Sequence, residues 1–369
     1  MKKLHLILIL TLATALVGTD AMAQRNNNKQ RKASKRISNY SGSAVRFSKG
    51  KQYNSVGFGI AAMNYFGDLA PLSKAASTDI SFTRPGFALE ATHKFGPFYS
   101  IRASLAWGRL KANDESADPF DEIALARYTR NLSFRNDIKE LSVTAEIDLV
   151  SNNGGANSRK LLTPYVFAGV ALFHHNPRAL APETDRNGNP VEEAGKWVAL
   201  QPLGTEGQFS DQYDVKPYKR LQISIPVGLG LKYRINSSFD LSLEVGYRYL
   251  FTDYIDDVSG LYVDLGSLDS ELAKTMSDRS QEIFFVESGL PRNQEQIISR
   301  YRQISYVSEV DGLVYTTYNG FGKYREPTEV DRGNIRGNSA DNDIYFVTVI
   351  KLNYILGPGG FGFGRGKFR

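Results

Sequence analysis

The chain alternates hydrophobic and polar residues over eight stretches, each about as long as a strand that crosses a bilayer obliquely. Strict alternation places one set of side chains on each face of a strand. An even number of such stretches predicts an all-β fold, an eight-stranded antiparallel transmembrane β-barrel. The stretches are 53–67, 82–95, 98–110, 137–150, 163–175, 220–235, 239–250 and 343–356.

The connections between these stretches differ in length according to their order. Those after the second, fourth and sixth stretches are the turn-forming segments "GP", "SNNGGANSRKLL" and "NSS". Those after the odd-numbered stretches are longer and reach 251–342 in the last case. Outer-membrane barrels sort their connections in this way, with short turns and both termini in the periplasm and long loops outside. A soluble sandwich, the alternative, would instead bury the apolar face and hydrate the charged one.

The apolar face of the strands is predicted to contact acyl chains. Besides the aliphatic residues of the hairpin 228–248, this face is assigned Phe58, Ile60, Leu89, Trp107, Val143, Tyr165, Phe167, Phe173, Ile350 and Leu352. The opposite face carries both signs of charge and several glycines. It is predicted to form a network of lumen charges: Glu90, Arg102, Glu146, Asp148, Lys232, Asp240, Glu244, Arg248 and Lys351.

Eight strands enclose an interior just wide enough for side chains to fill. The expectation is therefore a lumen closed by ion pairs, and a small pore is the alternative. In the last long loop, a serine followed by helix-forming residues predicts one short surface helix within 267–278. The segment "DGLVYTTYNG" (311–320) is predicted to form a strand that could extend the barrel above the membrane.

The first residues indicate export. Lys2 and Lys3 precede an apolar run that ends in "AMA", which predicts a signal peptide at 1–23 and excludes a role in binding nucleic acid in the cytosol. An uncleaved membrane anchor is the alternative. The segment 24–52 has nine Lys and Arg residues and no acid, so we expect a disordered periplasmic arm. The barrel domain then spans 53–356, and 357–369 forms a basic Gly/Phe tail.

Few residue types offer chemistry. The chain has no cysteine, which removes disulfides, thiolate metal sites and a lipoprotein anchor. Asp253, Asp256 and Asp257 are a weak calcium candidate, although acids at a strand end more often cap it or pair with arginine. His174 and His175 leave open a lipid hydrolase acting at the membrane rim. No G-x-S-x-G motif accompanies them, so no enzyme activity, cofactor, metal or small-molecule substrate is expected.

Two elements are candidates for contact with a partner. The cationic arm, represented by Arg31, Lys32, Lys35 and Arg36, could meet an acidic periplasmic protein or the cell-wall polymer. A solvated arm without a partner is the alternative. The periplasmic turn Asn236, Ser237 and Ser238 is the second candidate, and outer-membrane lipid would surround the barrel itself.

Several segments together resemble the PorG-type outer-membrane barrel proteins associated with the type IX secretion system. "RNLSF", "LGTEGQ" and "TDYIDDVS" are the most distinctive. The full set is "NYFGDL" (64–69), "RPGFALEATHKF" (84–95), "RNLSFRNDIKELSVTAEIDL" (130–149), "TPYVFAGVALFHHNPRA" (163–179), "LQPLGTEGQ" (200–208) and "YRYLFTDYIDDVSGLYVD" (247–264).

The resemblance implies a structural component of the outer membrane. It implies that the barrel docks a periplasmic, lipoprotein-containing ring of the secretion machine to that membrane, and it carries over no catalytic residue. The region 265–340 matches no motif of the family, and the tail continues beyond the last strand. A paralogue with another partner is therefore the alternative.

Overall fold

The computed structural model describes residues 47, 49–69, 83–122, 124–322 and 334–356. The predicted signal peptide, most of the basic arm with Arg31, Lys32, Lys35 and Arg36, and the tail 357–369 lie outside the described residues. The strands are β1 (Tyr53–Phe66), β2 (Arg84–Lys94), β3 (Tyr99–Asn113), β4 (Ser133–Asp148), β5 (Leu162–His174), β6 (Arg178–Leu180), β7 (Trp197–Ala199), β8 (Leu221–Arg234), β9 (Phe239–Leu250), β10 (Gln303–Val307), β11 (Val314–Tyr318) and β12 (Ile344–Leu356). The helices are α1 (Ala124–Arg130), α2 (Glu271–Ser277) and α3 (Gln294–Arg300).

Eight long strands pair antiparallel into a closed barrel, as the alternation predicts. The order around the barrel is β1, β2, β3, β4, β5, β8, β9 and β12, and β12 returns to β1 over a register from Asn54 opposite Leu356 to Phe66 opposite Ile344. Closure pairs the backbone groups of every barrel strand on both sides, which is required where no water is available. The short strands β6 and β7 extend the sheet from the outer end of β4.

The outer surface of the barrel is apolar. Large aliphatic side chains stand exposed around it, for example Leu229 at 63%, Ile60 at 60% and Ile350 at 58%. Aromatic rings pair at both ends of this surface, with Phe239 against Tyr354 at the short-turn end and Tyr247 against Phe346 at the loop end. An apolar band flanked by aromatic girdles is the surface of a transmembrane barrel. The predicted fold class is confirmed.

The assignment of Tyr165, Phe167 and Phe173 to the lipid face is wrong. All three side chains point into the barrel and are at most 3% exposed. The neighbouring strand β8 makes room for two of them with glycine. A Cβ at Gly230 would lie 2.6 Å from Cε1 of Tyr165, and one at Gly228 would lie 2.5 Å from Cζ of Phe167. In β5 the lipid-facing positions belong instead to residues such as Val170 and Leu172.

The described parts of the long loops fold into ordered structure above the barrel. The predicted helix within 267–278 forms as α2, where the hydroxyl of Ser270 accepts a hydrogen bond from the backbone N–H of Ala273 at 3.1 Å. The predicted strand within 311–320 forms as β11, but it pairs with β10 in a separate two-stranded sheet instead of extending the barrel. Helices α1 and α3 were not predicted. Their apolar faces meet in a small core of buried side chains: Leu125, Tyr128, Tyr262, Phe285, Ile297, Tyr318 and Phe321.

None of the helices in the described part of the chain has the length and apolar character needed to cross a membrane.

Candidate functional site

The middle of the lumen is organised around Arg102. Its guanidinium lies 2.6 Å from Glu244, 2.8 Å from Glu146 and 3.6 Å from Glu90, and it stacks 4.8 Å above the ring of Phe167. Planar arginine is suited to hold several carboxylates at once. A charge buried at this depth is tolerated only because it is paired.

Two lysines complete this layer. Lys351 lies 2.6 Å from Glu244 and 2.9 Å from Glu90, while Lys232 lies 2.7 Å from Glu146 and 3.1 Å from Asp148. The hydroxyl of Tyr165 also donates to Glu244 at 2.7 Å. The carboxylates of three different strands are thereby bound into one continuous network.

Three further ion pairs lie at the two ends of the lumen. Arg248 binds Glu140 at 3.0 Å toward the loops, and toward the short turns Lys94 binds Asp148 at 2.5 Å and Arg159 binds Asp240 at 3.0 Å. All nine lumen residues named from the sequence thus have ionic partners in the interior. Sequence reasoning missed Glu140, and it missed Arg159 because that residue lies in a turn with no alternating pattern.

A packed apolar layer closes the lumen on the loop side of Arg248. It combines inward residues of the strands with Leu69, Ile255 and Val258 from the loops. The strand residues at its centre are Leu110, Phe134, Ile138, Phe173 and Leu250, each at most 1% exposed. Ion pairs fill the lumen below this layer and packed hydrocarbon closes it above, so we expect no ion conduction.

Above the apolar layer lies a buried polar cluster built from several loops. Arg336 binds Glu206 at 2.9 Å and donates to the carbonyl of Asp257 at 2.5 Å. The Glu206 carboxylate also accepts the backbone N–H of Ser259 at 2.9 Å. Arg336 and Glu206 are at most 2% exposed, so this pair fixes three loop segments to one another without contact with solvent.

A second arginine extends the cluster to the β1 end. Arg130 forms a bidentate ion pair with Asp114, in which both hydrogen bonds measure 2.8 Å. It also donates to the carbonyl of Arg336 at 2.6 Å and to that of Asp68 at 2.9 Å. Each of the two arginines therefore uses a backbone carbonyl of a distant segment as well as a carboxylate, and together they connect the described loop segments to one another.

The carboxyl groups of Asp256 and Asp343, near the loop end of the barrel, are bridged by one tyrosine hydroxyl. The hydroxyl of Tyr65 lies 2.6 Å from Asp256 and 2.8 Å from Asp343. One hydroxyl has one proton to donate, so the second contact requires a proton on a carboxyl. Burial, reinforced by neighbouring carboxylates, raises the pKa of Asp256 and of Asp343 well above the ordinary value. Burial likewise raises the pKa of Asp253 to about 9.

The three calcium candidates do not form a common cage of oxygen ligands. Asp257 accepts hydrogen bonds from Thr205 and from Tyr218 at 2.7 Å, and Asp256 accepts from Tyr65 and from the backbone N–H of Val258. The oxygens of Asp256 and Asp257 are thus used within the protein. Within the ranges that the structure covers, no group of three or more His, Asp or Glu side chains is arranged to hold a metal ion.

The distinctive segments of the sequence meet in this cluster. Asp68 lies in "NYFGDL", Arg130 begins "RNLSF", Glu206 lies in "LGTEGQ", and Asp257 lies in "TDYIDDVS". Sequence reasoning found the segments but missed Glu206 and its partner Arg336 as site residues. The cluster connects the described loop segments, and the side chains of Arg130, Glu206, Asp257 and Arg336 in it are buried.

The two histidines have unlike surroundings. His175 is fully buried between the rings of Phe173 and Tyr218, and its Nε2 lies 3.0 Å from the carbonyl of Lys219. Burial lowers its pKa to about 4, so the imidazole is neutral. His174 lies on the outer face, opposite Lys139. Among the described residues, no serine hydroxyl hydrogen-bonds to either ring.

The predicted contact turn at the short-turn end is held rigidly. Arg159 donates to the carbonyls of Asn236 at 2.9 Å and Ser237 at 3.0 Å, and the side chain of Asn236 accepts the backbone N–H of Ser238 at 2.8 Å. The side chains of Asn236 and Ser237 are exposed. This turn therefore presents a fixed polar surface.

Comparison with known families and structures gave limited matches. A family described as a domain of unknown function (DUF6089) matches residues 43–194. A search of curated proteins gave no match. Solved structures similar to this chain include Ail, the attachment invasion locus protein of Yersinia pestis (11% identity, 84% of this chain, 100% of that chain, TM-score 0.31), and Neisserial surface protein A (10%, 82%, 96%, 0.30). A major outer membrane protein from Thermus thermophilus is also similar (9%, 82%, 99%, 0.32).

At these identities and TM-scores the likenesses carry no argument about function. The barrel assignment rests on the strand pairing and on the apolar outer surface described above.

Proposed function

We propose that this barrel is a structural component of the type IX protein secretion machinery in the outer membrane, and that it docks a periplasmic lipoprotein ring. The observation that carries the proposal is that the interior of the barrel is filled by side chains. The lumen is filled by ion pairs and sealed by hydrocarbon, and the loop cluster is held by buried arginines. A barrel with a filled and rigid interior acts through its outer surfaces, which suits an anchoring role.

The short-turn end supports the docking part of the proposal. The turn Asn236–Ser237–Ser238 is exposed yet fixed by Arg159, and a preformed surface loses little conformational entropy on binding. The resemblance supplies the identity of the machine and of the ring. The basic arm with Arg31, Lys32, Lys35 and Arg36 is proposed as a second contact, because its unbalanced positive charge would attract an acidic periplasmic partner.

Deletion of the gene tests the proposal in the cell. We expect proteins that carry the C-terminal signal of the type IX system to stay inside, and normal export of these proteins would contradict the proposal. Complementation with Ser237→Arg, which places a bulky cation on the turn, should fail to restore export. Asn187→Arg, at an exposed position in a loop at the other end, is the matched control and should restore it.

A further inference from the structure

The outer wall of the barrel carries a group of cations confined to one arc. We define the cationic rim as Arg109, Arg135, Lys139, Arg178, Lys219 and Arg220, which lie on or beside the loop ends of β3, β4, β5, β6 and β8. Lys139, Arg178, Lys219 and Arg220 are exposed and form no ion pair with any described residue. Arg109 pairs with Asp137 at 2.6 Å.

The strand register places the rim directly above the apolar band. Leu105, Leu141 and Leu172 lie side by side on neighbouring strands, and all are exposed. Two residues further toward the loops, Lys139 lies opposite both Trp107 and His174. This wall therefore changes from hydrocarbon to positive charge within one repeat of the strand.

The cations of the rim are also close to one another. Arg135 faces Arg178 across β4 and β6, and its guanidinium lies 4.0 Å above the ring of Trp197. Like charges directly opposite on neighbouring strands destabilise a sheet. The carboxylate of Asp137 interacts with Arg109, Arg135 and Arg178 and offsets part of this repulsion, and a bound anion would offset more of it.

The wall formed by β1, β9 and β12 differs at the same level. The loop ends of β1, β9 and β12 carry an aromatic girdle, in which Phe66 and Tyr247 both pack edge-on against Phe346. The outward positions of these three strands hold no Lys, Arg, Asp or Glu. A general adaptation to an anionic membrane surface would place cations around the whole barrel. Confinement to one arc indicates a particular binding position.

We propose that the cationic rim binds the phosphate groups of a lipid in the outer leaflet, with the acyl chains of that lipid lying on the apolar band below. Continuity with Leu105, Leu141 and Leu172 selects a lipid over a soluble anion, since only a lipid contacts both surfaces at once. Basic groups beside a transmembrane surface are a known means of binding anionic headgroups. The proposal holds whether or not the barrel belongs to a secretion machine.

Native mass spectrometry of the full chain in zwitterionic detergent tests this proposal. The probes are bisphosphorylated lipid A and the same lipid with both phosphates removed. The variant Lys139→Gln/Arg178→Gln/Arg220→Gln removes three charges from the rim. Lys49→Gln/Lys160→Gln/Arg302→Gln removes three exposed charges outside the rim and is the matched control. The heat-dependent gel shift of each variant shows whether the barrel has folded.

The wild type and the control should retain the phosphorylated lipid in preference to the dephosphorylated one. The folded rim variant should lose this preference by about a hundredfold, since each cation near an anionic headgroup contributes about fivefold. Equal retention of both lipids by the wild type, or unchanged preference in the rim variant, would overturn the proposal. Displacement of the lipid by millimolar inorganic phosphate would assign the rim to a soluble anion instead.

Discussion

Replacement of Arg102 by methionine tests the lumen network at its centre. In the wild type, Glu90, Glu146 and Glu244 share Arg102 with Lys232 and Lys351. Arg102→Met leaves these three carboxylates with two lysines, so one negative charge in this layer becomes uncompensated. Removal of one partner of a buried ion pair typically costs about 3–5 kcal/mol. We expect the free energy of unfolding to fall by this amount.

The second variant separates charge imbalance from loss of packing. Arg102→Met/Glu244→Gln again gives two carboxylates and two lysines, and we expect it to be more stable than Arg102→Met alone. Arg300→Met is the control, because Arg300 and Glu122 form an exposed pair at 3.2 Å. Loss of such a pair costs about 0–1 kcal/mol.

Reversible unfolding by guanidinium in lipid vesicles measures these differences. Trp107 and Trp197 are the two tryptophans of the chain, and Trp107 lies on the lipid-facing wall, where its fluorescence reports insertion. If Arg102→Met costs no more than Arg300→Met, the buried network contributes nothing specific. If the double variant is no more stable than the single one, charge balance is not the cause.

Two further predictions concern close packing and pH. Gly230→Ala should destabilise the barrel by about 1–3 kcal/mol, because the added methyl group meets the ring of Tyr165. Tyr165→Leu in the same chain should recover stability, and unfolding in vesicles measures both changes. A Gly230→Ala barrel as stable as the wild type would show that the ring of Tyr165 is not fixed in this position. The pKa of the Asp253 carboxyl is raised from 3.8 to about 9, so the folded protein binds the carboxyl proton more tightly than the unfolded chain does. The stability that protonated Asp253 contributes is therefore lost as the pH rises from about 4 through about 9. Burial of neutral His175 has the opposite sign, since its pKa is lowered to about 4 and stability is lost as the pH falls from 6.5 to about 4. Between pH 7 and 9 the protonation of His175 does not change, so Asp253→Asn should lessen the loss of thermal stability in that range. If the melting temperature of this variant falls with pH as steeply as that of the wild type, the raised pKa does not belong to Asp253.

The strands could be predicted because their signal is local. Alternation alone gave 239–250, which is the observed span of β9, and the other barrel strands differ from prediction by a few residues at their ends. The inward direction of Tyr165 could not be read in the same way. It depends on Gly230 in a neighbouring strand, and an aromatic residue in a strand is compatible with either face.

The loop cluster escaped prediction for a related reason. Arg336 and Glu206 are 130 residues apart, and neither lies in a periodic segment. Helices α1 and α3 have seven residues each, too few to show a clear amphipathic pattern, and they are stabilised by packing against residues such as Phe285 and Phe321. The acids of "TDYIDDVS" were visible, but their partners Thr205, Tyr218 and Tyr65 come from other parts of the chain.

Capture of periplasmic partners on the full chain tests the central claim most directly. The tagged protein would be purified from detergent-solubilised envelope, and the bound proteins would be identified by mass spectrometry. The account predicts that the ring lipoprotein of the secretion machine is retained by the wild type and by Asn187→Arg and is lost with Ser237→Arg. Absence of that lipoprotein from the wild-type complex, or its equal retention by Ser237→Arg, would contradict docking through the short-turn end.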